Sequence, residues 1–382
     1  MGSRSIASTM GNRLNLLVVS LLSFTLSSSL WAETQAVEVR TDEAIEDIAD
    51  SLVPELLRER KIPGAAVAVL SRDTVVFAKG YGYADLEKRM PVTTGTVFQL
   101  ASATKPFAAT VIMRLVEEER MSLDEPLKRY LAWLPKQYQA VKIRQLLTHT
   151  SGVRHDLRRE NIDEFSIDEF KRRLELSEAA FAPGTKWQYS NTGYTLLALA
   201  AEEITGKSFG QLLREKIFEP LRMASADYRV AETRSNDVVG YELVNGELQR
   251  MPRVFSGWGN SGIQADVLDV VRWAASLSKG SLLSRASYEA METPARLEDG
   301  SEVQFEFAGE KKASYGLGWF LTSYRGRKLV THGGAIAGFS SEVNRFDGLS
   351  ILVLSNGKQG ADRRGQADAI ADALYDRLPV VK

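Results

Sequence analysis

Strand-like segments lie at both ends of this 382-residue chain, and helical patterns fill its middle. Near the N-terminus, residues 65–70 and 74–81 are rich in β-branched and aromatic residues and surround Ser71-Arg72-Asp73, which is typical of a hairpin. Further strands, joined by tight turns, are predicted at 315–322, 328–331, 339–346 and 350–354. We therefore predict an α+β fold in which one antiparallel sheet is made from both chain ends and flanked by terminal helices.

Apolar residues recur with helical spacing between and beyond these strands. The predicted helices are 42–60, 102–119, 143–148, 167–176, 194–203, 209–217, 266–278 and 361–375. We expect one domain over 37–382, with a mostly helical subdomain of about 103–250 inserted into it. Ligand pockets tend to form in the cleft between two such parts, so a site is expected there.

The first 36 residues have the pattern of an export signal. Arg4 and Arg13 precede an apolar stretch over 14–30, and small residues suitable for cleavage follow at Ala32 and Ala36. The stretch is slightly short for a membrane span, and an uncleaved N-terminal anchor stays open as an alternative. We expect residues 1–36 to be a signal peptide or an anchor, and the protein to be periplasmic or secreted.

Composition limits the available chemistry. Cysteine is absent, which excludes disulfides and thiol nucleophiles, and a histidine-built metal site would need nearly all of the three histidines. Basic and acidic residues balance at 48 and 49. We therefore expect no metal or organic cofactor, no nucleic-acid partner, and no membrane partner beyond a possible N-terminal anchor. The sequence leaves the oligomeric state open.

Ser102-Ala103-Thr104-Lys105 places a hydroxyl and an amine three residues apart, on one face of a predicted helix. Pro106 is tolerated only in a helix's first turn, so Ser102 is expected near the helix N-terminus. A serine becomes a nucleophile when a neighbouring base takes its proton, and a lysine of lowered pKa can do this. The alternative is that Ser102 is an ordinary helix N-cap. The same spacing at Ser276 and Ser355 is interpreted as chance, because neither opens a helix.

Two further motifs combine turn formers with reactive side chains. Tyr189-Ser190-Asn191 offers a phenol for proton transfer and an amide for a substrate carbonyl, although it is equally a turn. His332-Gly333-Gly334 follows a strand-like run, and paired glycines let a substrate lie against the backbone. Its alternative is a hairpin turn with an incidental histidine.

In this order the three motifs resemble the serine β-lactamase and penicillin-binding-protein superfamily, whose Ser-x-x-Lys motif carries the nucleophile. Tyr-x-Asn followed by His-Gly-Gly is similar to the branch of class C β-lactamases, DD-carboxypeptidases and family VIII esterases. The likeness runs from about residue 42 to the C-terminal helix and includes the stretches 145–152, 183–185 and 261–266.

The resemblance implies an exported serine hydrolase that cleaves an amide or ester bond of a small molecule or peptide through an acyl-enzyme. Lys105 and Tyr189 would relay the Ser102 proton jointly. The implied catalytic residues are Ser102, Lys105, Tyr189, Asn191 and His332, with the backbone N–H groups of Ser102 and Ala335 as oxyanion hole and Gly333 and Gly334 against the substrate.

One departure from the lactam-processing relatives concerns the third motif. Neither Gly333 nor Ala335 has the hydroxyl that helps to bind a substrate carboxylate, and His332 is less charged than a lysine at neutral pH. An esterase of the same fold and a catalytically silent envelope protein therefore stay open as alternatives. His149 is expected to be structural, and His155 to lie on a surface loop.

Overall fold

The fold is given by a computed structural model that describes residues 37–157, 166–229, 234–253, 257–307, 310–358 and 366–378. The segment 1–36, for which a signal peptide or anchor is predicted, lies outside these residues. Within them, strands β1–β15 span Gly64–Ser71, Thr74–Asp85, Met90–Pro91, Phe98–Gln99, Asp227–Tyr228, Gly240–Val244, Glu247–Met251, Ile263–Ala265, Phe305–Phe307, Glu310–Tyr315, Phe320–Tyr324, Arg327–Ile336, Phe339–Phe346, Leu349–Ser355 and Gly357–Lys358. Helices α1–α9 span Glu43–Glu59, Thr104–Glu117, Ile143–Leu147, Ile167–Leu176, Asn191–Thr205, Phe209–Leu213, Val267–Lys279, Arg285–Met291 and Gln366–Arg377.

A nine-stranded sheet joins the two ends of the described chain. Its order is β3-β2-β1-β14-β13-β12-β11-β10-β9. β1 pairs antiparallel with β14, so that Val67 lies opposite Val353. The predicted α+β fold with a sheet from both chain ends is confirmed.

The two faces of the sheet pack against different helices. Alternate residues of β1 and β14, such as Val67 and Val353, join α1 and α9 in one apolar cluster. Their neighbours Ala66 and Leu354 belong to a second cluster with the α2 residue Phe107, whose ring stacks on Trp273 of α7. Because side chains alternate along a strand, β1 and β14 are buried on both faces.

The structure differs from the predicted strands at two places within the long strands of the sheet. The strand predicted at 328–331 continues as β12 to Ile336, so that His332-Gly333-Gly334 lies inside the strand and not in a hairpin turn. The range 315–322, predicted as one strand, is the end of β10, a turn and the start of β11. Gly318 has φ +90° in this turn, and a Cβ there would lie 2.8 Å from Ala109 Cβ. The strand is interrupted at Gly318 because α2 packs against the backbone at this residue.

The remaining differences concern short elements. The hairpin of β6 and β7, the small sheet of β4, β5 and β8, the short strands β3, β9 and β15, and helix α8 were not predicted. The last predicted helix, 361–375, is seen as Gln366–Arg377, and its first five residues lie outside the described ranges. None of the helices in these ranges combines the length and apolarity needed to cross a membrane.

Candidate active site

Ser102 lies in a 3₁₀ turn, Ala101–Ala103, that leads directly into α2. The preceding Ala101 has φ +48°, a left-handed conformation that residues with a Cβ rarely adopt. The turn is tied to β8, because Leu100 N donates to Ile263 O at 2.9 Å. Strained backbone of this kind is found where surrounding contacts fix a functional side chain. The turn thus presents Ser102 at the helix N-terminus, as the sequence predicts.

Lys105 is one turn of helix further on and is fully buried, with 0% of its surface exposed. Its Nζ lies 3.2 Å from Ser102 Oγ, 2.9 Å from Asn191 Oδ1 and 2.9 Å from the Asn260 carbonyl oxygen. These contacts compensate for removing the amine from water. Asn260 was missed by the sequence analysis, because it contributes a backbone oxygen that any residue could supply.

Tyr189 completes the surroundings of the serine hydroxyl. Its side chain is in polar contact with that of Ser102, and Lys105 Nζ lies 4.7 Å from the centre of its ring. Burial raises the pKa of Tyr189, and the contact with Ser102 opposes this rise only in part. Burial therefore makes the phenol hold its proton more tightly than a free tyrosine does.

Asn191 is the first residue of α5, and its amide is held from both sides. Oδ1 accepts from Lys105, while Nδ2 donates to Asp156 Oδ2 at 3.3 Å. Ser190 caps the helix, since its Oγ accepts from Gly193 N at 3.0 Å. Asp156 was also missed, because no spacing in the sequence connects it with Asn191.

The paired glycines of β12 face opposite sides of the strand. A Cβ on Gly334 would lie 2.7 Å from Ser102 N and 2.2 Å from Leu100 O, so glycine lets the strand backbone reach the serine turn. A Cβ on Gly333 would instead lie 2.2 Å from Oε2 of Glu342 on β13. Ala335 follows on the same strand, opposite Ser340. Gly334 thus lies against the turn that carries Ser102, and Gly333 packs on Glu342. Contact of either glycine with a substrate stays a prediction.

His332 lies beside Tyr189 but is turned into the protein, with 1% of its surface exposed. Its Nε2 accepts from the Tyr315 hydroxyl at 3.0 Å, and its Nδ1 donates to Gly333 O at 2.8 Å. Burial and the charge of Lys105 lower the pKa of His332 to about 3. The imidazole is therefore neutral. Ser102, Tyr189 and Asn191 thus surround the amine of Lys105, and His332 belongs to a layer next to them.

The two proton-relay groups can share one proton in two arrangements. Lys105 as an ammonium has three N–H donors for its three oxygen neighbours, and it leaves the Ser102 hydroxyl free to donate to a Tyr189 phenolate. A neutral Lys105 can accept the Ser102 proton itself while Tyr189 stays a phenol. The arrangements differ only in where the proton sits, so the relay is assigned to the pair.

His155 is exposed, as expected, and its Nδ1 donates to the Tyr189 carbonyl at 2.8 Å. In the described ranges, no group of three or more histidine, aspartate or glutamate side chains is arranged to hold a metal ion.

The sequence profile of the Beta-lactamase family matches residues 49–375. Protein flp of Staphylococcus aureus (strain MW2) is 27% identical over 320 residues, which cover 80% of this chain and 62% of that protein. Penicillin-binding protein 4* of Bacillus subtilis (strain 168) is 28% identical over 335 residues, or 81% of this chain and 71% of that protein. The octameric penicillin-binding protein homologue from Pyrococcus abyssi has a TM-score of 0.74 and 28% identity, covering 87% of this chain and 76% of that chain.

Proposed function

The chain belongs to the beta-lactamase family, and on this premise we propose that it is a serine hydrolase that cleaves an amide or ester bond through an acyl-enzyme on Ser102. The observation that carries the proposal is the contact of Ser102 Oγ with Lys105 Nζ at 3.2 Å, while Asn191 holds the same amine at 2.9 Å. A serine hydroxyl within hydrogen-bond reach of a side chain that can take its proton is the arrangement that nucleophilic catalysis requires.

The proposed reaction begins when Ser102 Oγ attacks the substrate carbonyl and its proton passes to the Lys105–Tyr189 pair. The N–H groups of Ser102 and Ala335 would hold the oxyanion, each contributing about 3 kcal/mol to the transition state. The pair then returns the proton to the leaving amine or alcohol, and the acyl group stays on Ser102. A water molecule, activated by the same pair, would hydrolyse this ester and restore the serine.

The third motif narrows the proposed substrates. The His332 imidazole is neutral and engaged with Tyr315, and Gly333 and Ala335 have no hydroxyl. Binding of a substrate carboxylate is therefore expected to be weaker than in relatives that process lactams. We therefore expect small amides and activated esters to be better substrates than penicillins. An amidase or peptidase activity and an esterase activity are proposed with equal weight.

Export is part of the proposal. It rests on the charged, apolar and small-residue pattern of residues 1–36. Expression of the full chain in a Gram-negative host, followed by cell fractionation and intact mass, tests this: a periplasmic product that starts after Ala32 or Ala36 is expected. A full-length product confined to the cytoplasm would contradict it.

The acyl-enzyme can be tested directly by covalent labelling. The wild-type protein is incubated with a fluorophosphonate and with a fluorescent penicillin, and intact mass is recorded. One adduct is expected on the wild type and none on Ser102→Ala. The matched control is Ser276→Ala, which changes the serine of another Ser-x-x-Lys stretch within α7 and should label like the wild type. An adduct that survives Ser102→Ala excludes this site, and an unlabelled wild type favours a binding protein without catalysis.

Substrate class requires a separate measurement. We expect kcat/KM to be higher for p-nitrophenyl butyrate than for a cephalosporin, because the ester needs no carboxylate contact. Comparable values for the two substrates would contradict the weakened carboxylate recognition and leave the acyl-enzyme proposal intact.

A further inference from the structure

His149, in the loop after α3, holds the chain on both sides of Tyr189. Its carbonyl oxygen accepts from Gln188 N at 2.9 Å, and its Nδ1 accepts from Ser190 N at 3.1 Å. The residue is fully buried, with 0% of its surface exposed. One residue thus bonds the backbone immediately before and immediately after the proposed proton-relay phenol.

The backbone of His149 is itself unusual, with φ +60°. Non-glycine residues adopt this left-handed conformation rarely, and histidine, asparagine and aspartate do so more readily than most. Strain of this kind persists where surrounding contacts hold the residue in place. In His149 the left-handed backbone occurs together with hydrogen bonds from both the carbonyl oxygen and the ring nitrogen Nδ1 to the same segment, 188–190.

The imidazole also forms part of the ring layer beneath the site. Its centre lies 4.3 Å from that of the Tyr189 ring and 4.6 Å from that of Tyr315. Burial and the charge of Lys105 lower the pKa of His149 well below its ordinary value, so the ring is neutral. A neutral ring can leave Nδ1 unprotonated as the acceptor that Ser190 N requires.

We propose that His149 is a positioning residue for acylation: by bonding Gln188 N and Ser190 N it fixes the Tyr189 phenol against Ser102 Oγ. The inference rests on the proposed function, because the phenol matters only if Ser102 reacts. It differs from a purely structural role, which would require the ring volume and not the acceptor at Nδ1.

Three substitutions separate these roles. In His149→Asn the amide oxygen stands close to the position of Nδ1, and asparagine tolerates a left-handed backbone. His149→Gly also tolerates this backbone but has no acceptor, and His149→Gln carries its amide one bond too far. We expect His149→Asn to acylate within about threefold of the wild type, and the other two to be slower by about 10²-fold, the effect of a misplaced reacting group.

The readout is the pre-steady-state burst with p-nitrophenyl butyrate. Its rate constant reports geometry. Partial unfolding lowers the amplitude and not the rate constant, and circular dichroism gives the folded fraction of each variant separately. We expect the loss in the acylation rate constant, while the dissociation constant of the substrate, taken from the concentration dependence of the burst rate, changes little. If the wild type is acylated, either of two results overturns the positioning role alone. One is an acylation rate constant of His149→Gly equal to that of the wild type, and the other is a His149→Asn that acylates as slowly as His149→Gln. A wild type that no probe acylates overturns the proposed function and this inference with it.

Discussion

Lys105 shows how a single buried amine organises the candidate site. A lysine with no exposed surface is costly unless its donors are satisfied, and here three oxygens from three separate parts of the chain surround Nζ. The contacts that compensate for burial are the same ones that bring Ser102 and Asn191 together. At the scale of the residue, stability and the proposed chemistry therefore depend on the same atoms.

Gly334 is the residue where added volume should damage this arrangement most. In Gly334→Ala the new Cβ meets the backbone at Leu100 O and Ser102 N, and backbone atoms cannot move aside cheaply. We expect the acylation rate constant to fall by about 10²-fold because the oxyanion donors separate. Stopped-flow measurement with p-nitrophenyl butyrate checks this.

Gly95→Ala is the matched control for that measurement. The nearest side-chain or backbone atom to its Cβ would be Thr93 Oγ1 at 3.9 Å, so no change in rate is expected. If Gly334→Ala acylates as fast as Gly95→Ala, β12 does not form the oxyanion hole with Ser102.

His332 should make stability depend on pH. Its folded-state pKa is about 3, well below the ordinary 6.5, so between these values the unfolded chain binds a proton that the folded protein does not. The free energy of unfolding of the wild type, relative to His332→Gln, should therefore fall by about 1.4 kcal/mol per pH unit below pH 6.5. Urea unfolding of both proteins at pH 7.5, 6, 5 and 4.5 measures the difference. A difference that stays constant over this range would show that His332 has the same pKa in the folded and the unfolded protein and would contradict the lowered value.

The parts of the site that the sequence could predict are side chains in short motifs. Ser102 and Lys105 are linked by helical spacing, and Tyr189 and Asn191 by a two-residue step, so both pairs are local. The carbonyl of Asn260 and the left-handed Ala101 could not be predicted. A backbone oxygen carries no residue type, and a positive φ outside glycine is imposed by tertiary contacts.

At the scale of the element, two helix N-termini meet at the site. Ser102 precedes α2, Asn191 begins α5, and Lys105 joins them through hydrogen bonds of 3.2 and 2.9 Å. Free N–H groups and the helix dipole make each N-terminus favourable for negative charge. Both helices therefore favour the charge that develops on Ser102 and the oxyanion during the proposed attack.

The cap of α5 should consequently matter for both stability and rate. Ser190 Oγ accepts from Gly193 N and donates to Arg154 O, each at 3.0 Å. Ser190→Ala should lower the free energy of unfolding by about 1–2 kcal/mol. It should also slow acylation by about tenfold, since Asn191 follows directly and holds Lys105. Urea unfolding and burst kinetics give the two values.

Ser284→Ala is the comparison for this effect. Ser284 caps α8, where its Oγ accepts from Ser287 N at 3.2 Å. Ser284→Ala should lower the free energy of unfolding by about 1 kcal/mol and leave the acylation rate constant unchanged. Equal rates for the two variants would show that the α5 cap supports the fold without setting the site.

At the scale of the whole molecule, the sheet explains which elements were predictable. Long strands such as β13 and β14 show their character in local sequence, whereas β5 has two residues and pairs with β8 from a distant part of the chain. The break between β10 and β11 was missed because residues 316–319 include apolar and aromatic residues. The contact of Gly318 with α2 ends the strand, and no local pattern records that contact.

The central position of β1 leads to a prediction about cooperativity. β1 comes from the N-terminal part of the chain, yet it lies between β2 and β14, and its residues belong to the apolar clusters on both faces. Separating β1 from β14 would expose both clusters at once, so it should occur only when the whole domain unfolds. In native-state hydrogen exchange, the amides of Val67 and Val353 should give the same free energy of opening and the same dependence on denaturant. The amide of Met90 in the edge strand β3 should open at a lower free energy and provides the internal reference. If Val67 exchanges at a lower free energy than Val353, the N-terminal strands form a separate folding unit, and the sheet is then less cooperative than its topology indicates.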